Sequence, residues 1–148
     1  MNDRGLIFEQ YKLIKEEGEE PTMTIDRIGN RMWRLSNGKL HRLDGPAIER
    51  ADGSKEWYLN DKRHRIGGPA IESSCGRKEW WANGQRHRED GPAFEDADGT
   101  KEWWANDRRL TPEDWAKAVL KLHNKPHDQE DIDELLRDIL SKIAEDLL

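Results

Sequence analysis

His41, His64 and His87 stand 23 residues apart, and each is followed by an arginine (Arg42, Arg65, Arg88) and, further on, by a glutamate (Glu49, Glu72, Glu95). Imidazoles and carboxylates in a fixed pattern are the raw material of metal sites and of acid–base catalysis. The spacing argues against both. If the copies lie on equivalent strands of neighbouring two-strand units, the histidines are separated by steps of roughly 9.5 Å, whereas donors sharing one zinc at ~2.1 Å lie within about 4 Å of one another. A glutamate present in every copy also fails as a catalytic candidate, because a reaction needs its groups once. His123 and His127 are four residues apart, but Pro126 between them breaks the helix that would align them. No nucleophile elbow, phosphate loop or paired-cysteine motif is present. The expectation is therefore a chain with no catalytic residues, no metal and no cofactor.

The elements that would carry these residues follow from the rest of the repeated string. His41-Arg42-Leu43-Asp44-Gly45-Pro46-Ala47-Ile48-Glu49 returns at positions 64–72 and 87–95. A period of this length implies stacked copies of one small unit. Asn83-Gly84 is a two-residue hairpin signal, since both central positions of a type I′ turn need positive φ. Asn60-Asp61 and Asn106-Asp107 fill the same slot with residues that tolerate left-handed geometry. Asp52-Gly53, Cys75-Gly76 and Asp98-Gly99 mark a second turn of the same two-residue kind. Each unit thus supplies two antiparallel strands to a meander, with the Gly-Pro of the repeat interrupting the second strand as a bulge or rim. Trp33 stands eight residues before His41, while Trp57 and Trp80 stand seven before theirs, so a residue is inserted near Ser36. The lone Cys75 reads as an exposed turn residue.

Strand alternation sends Trp57, Trp80 and Trp103 to one side and Tyr58, Trp81 and Trp104 to the other. One set is expected to be buried and the other partly open. Ile48, Ile71 and Phe94, with the repeated arginines, fill the gaps between the rings. The fold class is mainly β with helical ends (α+β): an elongated single-layer antiparallel meander of residues 21–110, an N-terminal helical segment at 1–20, and a C-terminal helical region of two helices at 111–148. Ile7, Tyr11 and Ile14 share one face of the first helix. Thr111-Pro112 starts a second, with Trp115, Val119 and Leu122 at helical spacing. Ile132, Leu136, Ile139 and Ile143, widened by Leu135 and Leu140, form the stripe of the last helix. That stripe either packs on the sheet, or makes a homodimer contact or docks a partner.

Of 148 residues, 34% are hydrophobic and 38% charged, which favours a thin fold over a thick core. The net charge of −6 is uneven: −3 over residues 1–20 (3 basic, 6 acidic), +2 over 21–110 (17 basic, 15 acidic) and −5 over 111–148 (5 basic, 10 acidic). No apolar run has the ~20 residues of a membrane helix, and no export signal opens the chain. With a single cysteine, the expected location is the cytoplasm and no membrane is expected as a partner. Acidic ends and acidic neighbours in every copy make direct nucleic-acid binding a secondary reading, although Arg42, Arg65 and Arg88 between aromatics would suit base stacking.

The order of Asp-Gly, an aromatic strand, Asn-Gly and then His with a Gly-containing segment, across about residues 26–110, resembles the MORN family of β-hairpin repeats. Gly-Pro-Ala and paired tryptophans replace that family's usual glycines and tyrosines. The His-Arg-x-Asp-Gly-Pro-Ala form looks like repeats of small bacterial and tailed-phage proteins. The resemblance implies an elongated sheet for contacts with other proteins and carries over no enzyme activity. Seven tryptophans, and Trp and Arg as the types most enriched at interface hot spots, support the same reading. The expected function is a non-enzymatic protein-binding protein with Tyr58, Trp81, Trp104, Arg42, Arg65 and Arg88 as the partner-binding residues. The partner would be a host or cellular protein, and the chain a phage-encoded inhibitor of, for instance, a defence nuclease complex. Nucleic-acid binding or mimicry, or a small-ligand sponge, are the alternatives.

Overall fold

A computed structural model describes residues 18–123 and 128–145. The expected N-terminal helix, with Ile7, Tyr11 and Ile14, and the residue His127 lie outside the described residues. What is described is an α+β fold: a nine-stranded antiparallel sheet, two small two-stranded sheets, and two helices at the C-terminal end. Strands β1 (Thr22–Ile25), β2 (Arg31–Arg34), β3 (Ile48–Glu49), β4 (Lys55–Glu56), β7 (Ile71–Glu72), β8 (Lys78–Glu79), β11 (Phe94–Glu95), β12 (Lys101–Ala105) and β13 (Arg108–Leu110) form the large sheet in that order. Hairpins β5 (Tyr58–Leu59) with β6 (Lys62–Arg63), and β9 (Trp81–Ala82) with β10 (Gln85–Arg86), stand apart from it.

The interruption by Gly-Pro is wider than a bulge. Between β6 and β7, and again between β10 and β11, seven residues leave the ladder. Each unit is therefore bent into two parts that meet at a tryptophan. Trp57 N–H donates to the Ala70 carbonyl at 2.8 Å, while the Trp57 carbonyl accepts His64 N–H at 3.1 Å. Trp33 and Trp80 repeat the arrangement with Ala47 and His41, and with Ala93 and His87. Ala47, Ala70 and Ala93 have no exposed surface, so a larger side chain has no room there.

The two turn classes differ. Asn60 and Asp61 (φ 49° and 63°), Asn83 and Gly84 (51° and 82°), and Asn106 and Asp107 (50° and 62°) are type I′ pairs, as the sequence predicts. The Asp-Gly slots are not. Arg50 N–H donates to Ser54 C=O at 2.8 Å across a three-residue loop in which only Gly53 has positive φ (90°). That is a type I turn closed by a glycine bulge. Ser73–Arg77 and Asp96–Thr100 close in the same way. The expected insertion near Ser36 has the same form: Leu35 N–H bonds to Lys39 C=O, with Gly38 at φ 82°.

The register of the large sheet produces two cross-strand rows. Met32, Ile48, Glu56, Ile71, Glu79, Phe94 and Glu102 follow one another on one face. On the other, Arg31, Glu49, Lys55, Glu72, Lys78, Glu95 and Lys101 alternate in sign, so each of the five inner charges has opposite charges across both neighbouring strands. The expected gap fillers Ile48, Ile71 and Phe94 thus alternate with glutamates rather than with tryptophan rings.

The apolar core is concentrated at the C-terminal end. Helix α1 (Pro112–Leu122) opens on Thr111, whose hydroxyl accepts Asp114 N–H. Trp115, Ala116, Val119 and Leu120 of α1 pack with Trp103 and Ala105 of β12, and with Ile132 and Ile139 of α2 (Gln129–Glu145). Leu135 and Leu136 pack against this cluster, whereas Leu140 is exposed. Trp103 and Trp115 lie 4.7 Å apart between ring centroids, and Trp115 Nε1–H donates to the Arg88 carbonyl. Ile132, Leu135, Leu136 and Ile139 of the last helix are therefore directed into their own chain.

Candidate functional site

The repeated histidines fasten one unit to the next. Nδ1 of His41 accepts the N–H of Asn60 (3.2 Å), that of His64 the N–H of Asn83 (3.0 Å) and that of His87 the N–H of Asn106 (3.2 Å). Each imidazole thus closes the type I′ turn of the following unit, and the three point to three separate turns. Accepting at Nδ1 sets the tautomer, with the proton on Nε2. Burial pushes His41 and His64 below the ordinary imidazole value. The N–H aimed at Nδ1 acts in the same direction, because a proton there would abolish the bond.

The repeated arginines are engaged within their own unit. The guanidinium of Arg42 lies 3.9 Å from the Trp33 ring centroid, that of Arg65 3.8 Å from Trp57, and that of Arg88 3.9 Å from Trp80. Nη1 of each donates to the carbonyl of Pro46, Pro69 or Pro92, and to Glu49, Glu72 or Glu95. Nε reaches Asp44 and Asp90; Gly67 replaces the aspartate in the middle unit. The other side of the guanidinium rests on glycine: a Cβ built on Gly45, Gly68 or Gly91 would lie 2.9–3.0 Å from the arginine Cζ. A side chain in place of the glycine of Gly-Pro-Ala would therefore displace the plane stacked over it. Arg88, with only 19% of its side chain exposed, is a clamp between Trp80 and Gly91.

Arg42, Arg65 and Arg88 donate backbone N–H groups to the carbonyls of Tyr58, Trp81 and Trp104, but their guanidinium groups stack on the other set of rings. The partners of Tyr58, Trp81 and Trp104 are Arg63, Arg86 and Arg109, which oppose them directly in the hairpins. Arg63 lies 5.5 Å from the Tyr58 ring and 5.3 Å from Trp81; Arg86 lies 5.2 Å from Trp81 and 5.0 Å from Trp104. Aromatic and guanidinium groups therefore alternate along three units: Tyr58, Arg63, Trp81, Arg86, Trp104. Below them runs a glutamate row. Glu56 accepts from the Tyr58 hydroxyl (2.9 Å), Glu79 from Trp81 Nε1–H (3.1 Å) and Glu102 from Trp104 Nε1–H (3.0 Å).

Glu56 and Glu79 are buried, and each is paired with two arginines, Arg50 and Arg63 in one case and Arg77 and Arg86 in the other. Burial alone would push the Glu56 carboxyl up, but the bonds from Arg50 and Tyr58 and the Arg63 charge hold it below its ordinary value. The ring edges are thereby fixed from beneath while the rings remain half-buried. The expected division into a buried and an open set is not what is found. Trp103 is buried, whereas Trp57 and Trp80 are half-buried like Tyr58, Trp81 and Trp104. Tyr58, Arg63 and Trp81, with Lys62 and Gly84, line a shallow groove between successive hairpins.

Two features were missed from the sequence. Arg63 and Arg86 were not singled out, although their register opposite Tyr58 and Trp81 follows from the two-residue turn between them. Glu89, in the slot of Leu43 and Ile66, bridges His87 Nε2 (3.2 Å) and His123 Nε2 (2.9 Å), tying the last unit to the end of α1. The His87 bond, joined by His123, holds its carboxyl low against the effect of burial. Among the described residues, no group of three His, Cys, Asp or Glu side chains is arranged to hold a metal ion. Cys75 lies in an exposed turn beside the Ser73 hydroxyl. No described helix is long and apolar enough to cross a membrane.

No protein-family model, curated protein or solved structure matches the chain.

Proposed function

We propose that the chain is a non-catalytic binding protein that engages another protein through the row Tyr58, Arg63, Trp81, Arg86 and Trp104. The observation that carries this reading is the alternation of half-buried rings and guanidinium groups on a shared support. Glutamates, two of them buried, hold the edges of the rings, and the groove between hairpins opens onto Tyr58, Arg63 and Trp81. Trp, Tyr and Arg are the types that dominate interface energetics, and side chains already held in place by hydrogen bonds and ion pairs lose less conformational entropy on contact. Arg42, Arg65 and Arg88 belong to the scaffold in this reading. Nucleic acid is the weaker alternative, because Arg63 and Arg86 are already paired with Glu56 and Glu79 and the opposite face alternates in sign.

The narrower proposal, an inhibitor of a host protein such as a nuclease complex, follows only from the resemblance of the repeat and is open to the same test. Wild-type protein and the variants Trp81→Ala and Arg88→Lys are immobilised at equal folded concentration and exposed to a cell extract, with an oligonucleotide offered in parallel. A stoichiometric protein retained by wild type and Arg88→Lys but lost with Trp81→Ala supports the reading. Equal retention by all three, or retention of the oligonucleotide alone with steep salt dependence, overturns it.

A further inference from the structure

The two edges of the large sheet are treated differently. At one edge, β13 carries the exposed Arg108 and Arg109 and is flanked by α1, and charge and cover of that kind prevent strand addition. At the other, β1 is Thr22-Met23-Thr24-Ile25: uncharged, without an internal proline or bulge, and exposed at every residue. Met23 is 43% and Ile25 58% exposed, and both lie on one face. Among the described residues β1 pairs with β2 alone.

The hydrogen-bond phase identifies which backbone groups are unused at this edge. Asp26 N–H donates to Asn30 C=O, and Trp33 N–H turns away from β1 to the Ala47 carbonyl. With Thr24 opposite Met32, the amides of Thr22 and Thr24 face β2, and those of Met23 and Ile25 face outward. We infer that β1 pairs antiparallel with β1 of a second copy of this chain, about a two-fold axis through Thr24. In that register Met23 opposes Ile25 of the other copy twice, and the N–H and C=O of both residues are all bonded. The apolar side chains of these two pairs meet on one face, and the Thr24 side chains meet on the other. The neighbouring symmetric register, centred on Met23, would set Ile25 opposite Pro21, which has no N–H to donate to the Ile25 carbonyl. It would also set Glu20 against Asp26. A second copy is therefore a partner whose sequence fits this edge with Thr24 on the axis.

The contact is short, so the association depends on concentration. Sedimentation equilibrium should show the weight-average mass rising from 17.3 kDa towards twice that value as wild type is concentrated. Met23→Pro removes only an outward N–H and should remain at 17.3 kDa; if it loses its β circular dichroism, Ile25→Lys takes its place. With Cys75 replaced by serine, Thr24→Cys should oxidise to a covalent dimer, because residues at the axis are a non-hydrogen-bonded pair with Cα atoms about 4.5 Å apart, within disulfide reach. Met23→Cys in the same background should not. Wild type that stays monomeric at every concentration, as when another part of the chain covers β1, overturns the inference. So does a dimer that survives both edge variants, or cross-linking by Met23→Cys in place of Thr24→Cys.

Discussion

Replacing Arg88 by lysine preserves the charge and removes the plane. In the native unit the guanidinium lies 3.9 Å from the Trp80 centroid and donates from Nη1 to the buried Pro92 carbonyl at 3.0 Å. The stack, largely shielded from water, contributes about 1 kcal/mol. The charged bond to the carbonyl contributes about 1 kcal/mol more, below the usual range for charged donors because the group keeps some access to solvent. The pair with Asp90 adds little, since that carboxylate is 60% exposed. A lysine ammonium can retain an ion pair with Glu95 but can neither lie flat between Trp80 and Gly91 nor reach both acceptors. The expected loss is about 2 kcal/mol, read from urea unfolding followed by circular dichroism, with binding per folded molecule unchanged. A variant within about 0.5 kcal/mol of wild type whose partner binding collapses would refute the assignment of this arginine to the scaffold.

Three further outcomes follow from the same contacts. Gly91→Ala places a Cβ 3.0 Å from the Arg88 guanidinium and should cost about 1–2 kcal/mol, while Gly91→Ala combined with Arg88→Ala should cost less than the sum of the two, a coupling that a double-mutant cycle measures. Glu79→Ala removes the acceptor shared by Arg77, Arg86 and Trp81, and should destabilise by about 2 kcal/mol; Glu95→Ala, in the charge-alternating row, should cost under about 1 kcal/mol in the same unfolding assay. Because burial holds the His41 and His64 values below 6.5, the unfolded chain binds more protons as pH falls through that value. Stability is then full above about pH 6.5 and declines towards pH 5, a window above the range in which the lowered carboxylates titrate. Urea midpoints measured from pH 7.5 to 5 should show that decline, and a flat profile would contradict a buried, neutral imidazole.

Much of the fold was legible because turns are local. The type I′ geometry of Asn60-Asp61, Asn83-Gly84 and Asn106-Asp107 needs only residues that tolerate positive φ, and the start of α1 needs only Thr111-Pro112. The Asp-Gly turns were misread as two-residue loops, because glycine serves either a type I′ pair or a bulge and the choice depends on the register of the flanking strands. The site was half legible. Tyr58, Trp81 and Trp104 stand where alternation puts them, but the arginines that oppose them in the hairpins, Arg63, Arg86 and Arg109, were not picked out. Arg88 lies close in sequence to the groups it clamps, yet its place over Trp80 depends on the chain leaving the ladder for the Gly-Pro segment.

The sequence by itself determined where the chain turns, the type I′ geometry of the Asn-led turns and the succession of strands, since these follow from backbone conformational preferences within a few residues. Tertiary structure alone decided which side of each ring an arginine occupies, how each histidine closes the turn of the next unit, and that, among the described residues, β1 pairs on one side only while β13 is flanked by α1. Those outcomes depend on the bend at each tryptophan and on contacts between units, where distances of a few ångströms separate a clamp from a free side chain.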